Sequence, residues 1–375
     1  MNFDFSDTQE MLRNTISRYL ADNYDFATRR QCLQSSYGRI RGLWSTLGSE
    51  HGILAIPFAE SAGGLSGGAV EVMIVMEECG KALLVEPYIE TMVIAGAILK
   101  RACTPVAEAT VREIISGEAV LTFAHGEPGC ADDLAVVRTK ATKDGASYLI
   151  NGDKAVVRYA PWANYVIATA RTDGGAKDRK GISIFLVDAQ SPGISRRSYT
   201  TIDGAPASEL RFENVVVPQT HVLGEVGGGL PIIERAMDEA IAASCAEAVG
   251  CMRSMLAQTV EYAGQRRQFG VPISSFQVLR HRMVDMYVAI EQAVSMTYGA
   301  TLTLDDGDRE RSKAASAAKV QVGKACRCVG QGAVQIHGGM GITDELAIGH
   351  YFKRVTVLEQ QYGSVAHHLR RFAGL

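Results

Sequence analysis

The chain has 375 residues, a length that sets a prior of two to three domains. Its 38 basic and 41 acidic side chains leave a formal charge of −3. No basic excess exists to displace counterions, which excludes a nucleic-acid binder working by bulk electrostatics. A hydrophobic share of 47% against 21% charged residues is too apolar for a disordered chain.

No apolar run approaches the roughly 18 residues that cross a bilayer. Met1 to Asp7 show no basic-then-apolar leader pattern, so no signal peptide is expected, and no membrane partner is expected either. The eight cysteines (Cys32, Cys79, Cys103, Cys130, Cys245, Cys251, Cys326 and Cys328) form no C-x-x-C pair. They read as buried thiols of a reducing, cytoplasmic compartment, and no metal site is expected. Cys326 and Cys328 stand two apart and would point to different sides of a helix.

Residues 1–117 read as a helical domain. Ser6 and Gln9 have capping-box spacing, ahead of Leu12, Ile16, Tyr19 and Leu20 at helical intervals. A Gly-rich loop at Ala62 to Gly68 precedes a helix predicted over Ala69 to Leu84, and helical periodicity runs on to Ile115. Over residues 118–221 the period changes to two. Leu121-Phe123, Val136-Arg138-Lys140, Tyr148-Ile150, Ala155-Val157, Tyr165-Ile167-Thr169 and Ile182-Ile184-Leu186 alternate, with turn signals at Lys143-Asp144-Gly145 and Asn151-Gly152-Asp153. Strands that follow one another without helices between them predict an antiparallel sandwich or barrel. Residues 222–375 return to helix and predict a four-helix bundle. Met283, Met286, Ile290, Ala293 and Met296 form one core-filling stripe. Segments 309–336 and 343–371 flank a break at His337-Gly338-Gly339-Met340-Gly341. The fold class is therefore α+β: an N-terminal helical domain, a central β domain and a C-terminal helical bundle. No Rossmann fingerprint, P-loop or H-E-x-x-H is present.

The order helical–β–helical, with certain strings, resembles the acyl-CoA dehydrogenase family over nearly the whole chain. Arg266-Arg267-Gln268-Phe269-Gly270 with Phe276-Gln277 is similar to the family's R-x-x-F-G…Q segment. Gln335-Ile336-His337-Gly338-Gly339-Met340-Gly341 is similar to its Q-x-x-G-G-x-G segment. Weaker matches are Glu127-Pro128-Gly129, Asn151-Gly152-x-Lys154 at an expected hairpin, and Val215-Val216-Val217-Pro218 with Leu223-Gly224. The resemblance implies FAD and an acyl-CoA thioester. A carboxylate takes a proton from the carbon beside the thioester carbonyl while hydride leaves the next carbon for the flavin. It also implies an electron-transfer flavoprotein as acceptor, and a dimer or tetramer in which each flavin is held by two subunits.

Carried over residue by residue, the contacts made across the subunit boundary are all present. They are Arg266 for the pyrophosphate, Phe269 and Gln277 near the adenosine half, and Gln335, Gly338 and Gly339 on the other side. The contacts to the flavin ring are altered. Where the family has T-E-P-x-x-G-S-D, the chain has Gly126-Glu127-Pro128-Gly129-Cys130-Ala131-Asp132-Asp133, and where it has W-I-T, the chain has Val156-Val157-Arg158.

The usual base position reads Tyr362-Gly363-Ser364, and a phenol with a pKa near 10 is a poor base. The alternative base position falls on Ala240. Glu247 lies seven residues further on, about 10.5 Å along the same helix face, among small apolar residues. It is the catalytic candidate, its alternative being a structural acid paired with an arginine from another helix. Glu359 reads as a weaker candidate and as a helix-surface acid. His367 and His368 are adjacent and diverge on a helix.

Three functional readings follow. The first is an FAD-dependent acyl-CoA dehydrogenase subunit that shares its flavin site with a homologous partner in a heterotetramer, resembling the small subunit of enzymes acting on dicarboxylyl or bulky thioesters. The second is a non-catalytic scaffold or regulatory subunit. The third is a self-associating enzyme that uses Glu247 as base.

Overall fold

The computed structural model describes residues 4–34, 42–130 and 132–375. Helix α1 (Asp7–Asn23) begins at the expected capping box: Ser6 Oγ accepts from Gln9 N at 3.3 Å and Gln9 Oε1 accepts from Ser6 N at 3.0 Å. Helices α2 (Phe26–Gln34), α3 (Leu43–Ser49) and α4 (Ala69–Ala82) follow. The stretch up to Ile115, where helical periodicity was expected to run on, is helical in three pieces. It holds a seven-residue π-helical segment (Ile89–Ala95), then α5 (Gly96–Ala102), then α6 (Pro105–Ile115). The break between α5 and α6 comes at Cys103, whose φ of +49° ends one helix, while Thr104 caps the next and Pro105 opens it.

Seven strands follow: β1 (Leu121–Ala124), β2 (Lys140–Asp144), β3 (Ser147–Arg158), β4 (Tyr165–Arg171), β5 (Ile182–Asp188), β6 (Ile194–Thr200) and β7 (Pro206–Pro218). They form one sheet in the order β1-β4-β2-β3-β7-β6, with β5 also paired to β4. Two features differ from the sequence expectation. The β1–β4 pair is parallel, because the whole β2–β3 hairpin intervenes and returns the chain in the same direction. Asn151-Gly152-Asp153 is not a turn but the middle of the 12-residue β3, where the register with β7 shifts between Ile150 and Gly152. A Cβ at Gly152 would lie 2.7 Å from Thr139 Cα, so this glycine permits a close strand contact. The other expected turn holds: Gly145, at φ +56°, closes the β2–β3 hairpin.

The C-terminal part comprises α7 (Leu230–Gln265), the short hairpin β8 (Arg267–Gln268) and β9 (Val271–Pro272), then α8 (Gln277–Leu302), α9 (Asp308–His337), α10 (Ala347–Gln360) and α11 (Val365–Gly374). Five helices stand where four were expected. Segment 343–371 is split at Tyr362 (φ +62°) and Gly363 (φ +108°). Helix α7 is long and apolar enough by composition to cross a membrane, but 78% of that window is buried inside the protein, as in a core helix.

Contacts divide the chain into two compact units that do not follow chain order. One contains residues 1–31, 69–84 and 241–375. Its core includes Met286, Ile290 and Ala293 from the predicted stripe, with Met283 and Met296 packed at the margin. In this unit α4 and α7 touch through glycines: a Cβ on Gly80 would lie 2.0 Å from Glu247 O, and one on Gly250 2.0 Å from Glu77 O. The small residues around Glu247 therefore serve helix approach. The second unit contains residues 32–68 and 85–240, with a sheet core that includes Ile150, Phe185, Phe212 and Val215. The eight cysteines are all free, but only Cys79, Cys245, Cys251 and Cys326 are buried. Cys103 and Cys328 are exposed, contrary to the reading of all eight as buried thiols.

Candidate functional site

The helical unit gathers the six residues expected to hold a dinucleotide. Arg266 continues the last turn of α7, its N–H donating to Tyr262 O at 2.8 Å. Its guanidinium is exposed and makes no ion pair or hydrogen bond among the described residues. Phe269 occupies the tip of the β8–β9 hairpin at φ +53°, 93% exposed. An aromatic ring held in water with a left-handed backbone is an outlier, which makes Phe269 a candidate binding position. Phe269 meets Phe276 edge-on at 6.2 Å, which brings the hairpin to the start of α8, where Gln277 is exposed.

Gln335 is exposed near the end of α9, and Gly338 ends that helix at φ +61°. A Cβ on Gly338 or Gly339 would meet nothing within 4 Å, so the backbone there is open to a ligand. Sequence reasoning missed the joint between these segments. Tyr262, one turn before Arg266, stacks on His337, the residue before Gly338, at 4.3 Å and 24°. His337 Nδ1 donates to Ala333 O at 2.9 Å, and burial lowers the ring's pKa, which keeps it a neutral stacking partner. The stack brings the end of α7 next to the end of α9. The set fits the phosphate and adenosine half of a dinucleotide: a free guanidinium, an amide, an exposed ring and open glycine backbone.

The β unit presents a different picture. Glu127 follows β1, and its carboxylate accepts from Arg138 N at 2.7 Å, Thr139 N at 2.9 Å and Lys154 Nζ at 2.8 Å. Lys154 is fully buried. Its other two ammonium hydrogens go to His125 O (3.1 Å) and Thr169 Oγ1 (3.2 Å). Burial pulls Lys154 down to about 8, against the upward pull of Glu127. Burial pushes the Glu127 carboxyl up, but the charge and hydrogen bond of Lys154 and the bonds from Thr139 outweigh it, and the pKa lies below the usual value. Thr169 Oγ1 also meets His125 Nδ1 at 3.0 Å. Desolvation first, and Lys154 second, lower His125 to about 3, so the ring is neutral. This network ties the segment after β1 to β3 and β4.

The positions where flavin-ring contacts were expected carry none of the side chains of the family pattern. Gly126 has no side chain, although its backbone does not require glycine. Its φ is not positive, and a Cβ there would lie 3.5 Å from Ala155 O, an ordinary contact. Val156, in the place of an indole, is 55% exposed at φ +51° in a second register shift of β3. Arg158, in the place of a hydroxyl, is committed within its own unit: Nη2 lies 3.1 Å from Asp203 Oδ2 and Nε 3.4 Å from Glu90 Oε1. Ala131 lies outside the described residues; Asp132 and Asp133 are exposed.

The expected base is also differently placed. Glu247 is 4% exposed, but it is not an unpartnered carboxylate among apolar groups. Arg354 of α10 donates to both its oxygens, Nε to Oε1 at 2.6 Å and Nη2 to Oε2 at 2.7 Å. This is the structural pairing with an arginine from another helix that the sequence left open. Ala240 is buried. Glu359 is buried and paired with Arg327, so it is not a surface acid. Tyr362 is half-buried against the helical core, and its carbonyl accepts from His368 Nε2 at 2.9 Å. Because Nε2 carries that proton, His368 Nδ1 is the acceptor facing Ser316 Oγ at 3.3 Å. The adjacent histidines thus stabilise the α10–α11 turn.

Models of the acyl-CoA dehydrogenase N-terminal, middle and C-terminal domains match residues 6–118, 122–215 and 227–373. The chain is 30% identical over 319 residues to the mitochondrial short-chain specific acyl-CoA dehydrogenase of Homo sapiens, covering 84% of this chain and 77% of that one. It is 30% identical over 311 residues to the caffeyl-CoA reductase-Etf complex subunit CarC of Acetobacterium woodii, covering 81% and 82%. Among solved structures, a variant of the Tcur3481-Tcur3483 steroid ACAD superposes with a TM-score of 0.88 at 26% identity, covering 98% and 97%.

Proposed function

The chain belongs to the acyl-CoA dehydrogenase family of FAD-dependent CH–CH oxidoreductases, and from that membership we propose that it works as one subunit of a shared flavin site. It grips the pyrophosphate and adenosine end of an FAD whose ring rests on a homologous partner chain. Bound FAD supplies the hydride-accepting chemistry for oxidation of an acyl-CoA thioester. Arg266 neutralises the pyrophosphate, Phe269 and Gln277 lie near the adenosine half, and Gln335, Gly338 and Gly339 close on the other side. The proton-abstracting base comes from the partner, since Glu247 is occupied by Arg354 and Tyr362 offers only a phenol.

One observation carries this reading. The tail-binding residues are exposed on one unit, while the ring-side positions Gly126, Val156 and Arg158 carry neither the hydroxyls nor the aromatic side chain of the family pattern, and Arg158 is paired within its own unit. Likeness to the Tcur3481-Tcur3483 steroid ACAD supports a two-chain assembly and a bulky acyl group. Likeness to an Etf complex subunit supports an electron-transfer flavoprotein as the acceptor.

The test is Arg266→Ala in the complex of this chain with its partner. A charge-assisted phosphate contact contributes about 1.5–3 kcal/mol, so FAD affinity of the complex should fall roughly 10- to 150-fold, with flavin content and turnover falling together. Unchanged flavin content and turnover would remove the shared-site reading and leave the chain as a scaffold subunit.

A further inference from the structure

The mismatch on the β unit is a built feature and not merely a loss. Arg158 is only 9% exposed, and its guanidinium is turned into its own unit. It is held between Asp203 from the β6–β7 connection and Glu90 from the π-helical segment, and it lies 5.6 Å from the Tyr159 ring. Each partner is itself fixed. Asp203 accepts from Thr201 Oγ1 at 2.5 Å, and the Asp203 and Glu90 side chains are 1% and 8% exposed. The Arg158 backbone is pinned as well, because its carbonyl accepts from Thr122 Oγ1 at 2.5 Å. Swinging the guanidinium out would take an ion-pair partner from two buried carboxylates, which is disfavoured. The two ion pairs therefore hold the arginine on this face.

We infer that Arg158, clamped by Asp203 and Glu90, seals this chain's own flavin-ring seat, so that the subunit takes no ring of its own and serves only a partner's flavin. The inference deepens the shared-site reading and rests on it for one point, the assignment of residues 126, 156 and 158 to the ring side. It adds a cause. A missing hydroxyl at Gly126 would only weaken a ring contact, whereas a clamped arginine occupies the position. It also explains why the two halves of the site differ in one chain: the tail-binding end belongs to the helical unit, and the seal belongs wholly to the β unit.

The experiment uses the full chain without a partner, titrated with FAD. Bound flavin is read from fluorescence quenching and from co-elution in gel filtration. The variant is G126T/R158T/D203N, which restores two hydroxyls and removes one cation and one anion together; D203N alone is the folding control. The triple variant should retain FAD at least tenfold better than the wild type. Equal retention by both proteins, or by neither, overturns the inference.

A crystal of the wild-type chain grown with excess FAD gives a second readout that does not depend on the variant folding. A ring lying against Gly126, with Arg158 displaced from Asp203, overturns the seal. Arg158 in place, with no ring beside it, supports it. An Arg266→Ala complex that keeps its flavin would end the shared-site reading without altering either result, so the two failures are distinguishable.

Discussion

Replacing Glu247 separates a packing role from a catalytic one. Its carboxylate and the Arg354 guanidinium form a two-point pair, with side chains 5% and 11% exposed. Removing one member of such a buried pair costs about 3–5 kcal/mol, chiefly because the other charge stays buried. Glu247→Ala and Arg354→Ala should each lower the unfolding free energy by that amount, read as a fall in the urea midpoint at unchanged m-value. An apolar replacement of both, E247L/R354M, should return stability to about the wild-type level, because the desolvation of two charges is then avoided. A cycle closed with the double alanine variant, E247A/R354A, should give a coupling energy of up to about 3 kcal/mol. Activity of the assembled enzyme provides the refutation. If Glu247→Gln leaves the unfolding midpoint unchanged but abolishes thioester-dependent flavin bleaching, Glu247 touches substrate and the packing role is wrong.

Two further outcomes follow from the same geometry. Gly250→Ala would push a Cβ to within 2.0 Å of Glu77 O, forcing α4 and α7 apart at a cost of about 1–3 kcal/mol. In the same helix Gly264→Ala meets nothing within 4 Å and should stabilise by roughly 0.5–1 kcal/mol; thermal unfolding of the two variants should shift in opposite directions. On the acid side, His125 and His368 are each lowered by burial to about 3. The unfolded chain then binds more protons than the folded one between about pH 6.5 and pH 3. Stability is complete above this window and falls with pH through it, with a slope approaching about 1.4 kcal/mol per pH unit for each histidine. Urea midpoints between pH 6.5 and 4.5 should show the slope, and His125→Asn with His368→Asn should flatten it. An unchanged slope in the double variant would contradict neutral burial of these rings.

Local signals in the sequence were strong where a single residue's chemistry dictates its conformation. The Ser6–Gln9 box starts α1, Asp144-Gly145 closes a hairpin, and the methionine stripe of α8 faces a core. The same signals misled where a distant segment supplied the reason. Asn151-Gly152 looks like a turn by propensity, yet Thr139 packs against Gly152 and keeps it in a strand. Glu359 looks like a surface acid until Arg327 is found beside it.

The dinucleotide end was legible because its residues cluster in two short strings, Arg266 to Gln277 and Gln335 to Gly339. Their meeting through the Tyr262–His337 stack was not legible, since 75 residues separate the rings in the chain. The fates of the charged groups depended wholly on three-dimensional neighbours. Nothing near Arg158 in the chain announces Glu90 or Asp203, 68 and 45 positions away, and nothing near Glu247 announces Arg354. Composition and periodicity determined the order of helices and strands and the residue types available for chemistry. Tertiary structure alone decided which charges are occupied and which stay open, because an ion pair forms by proximity in space and burial sets its strength.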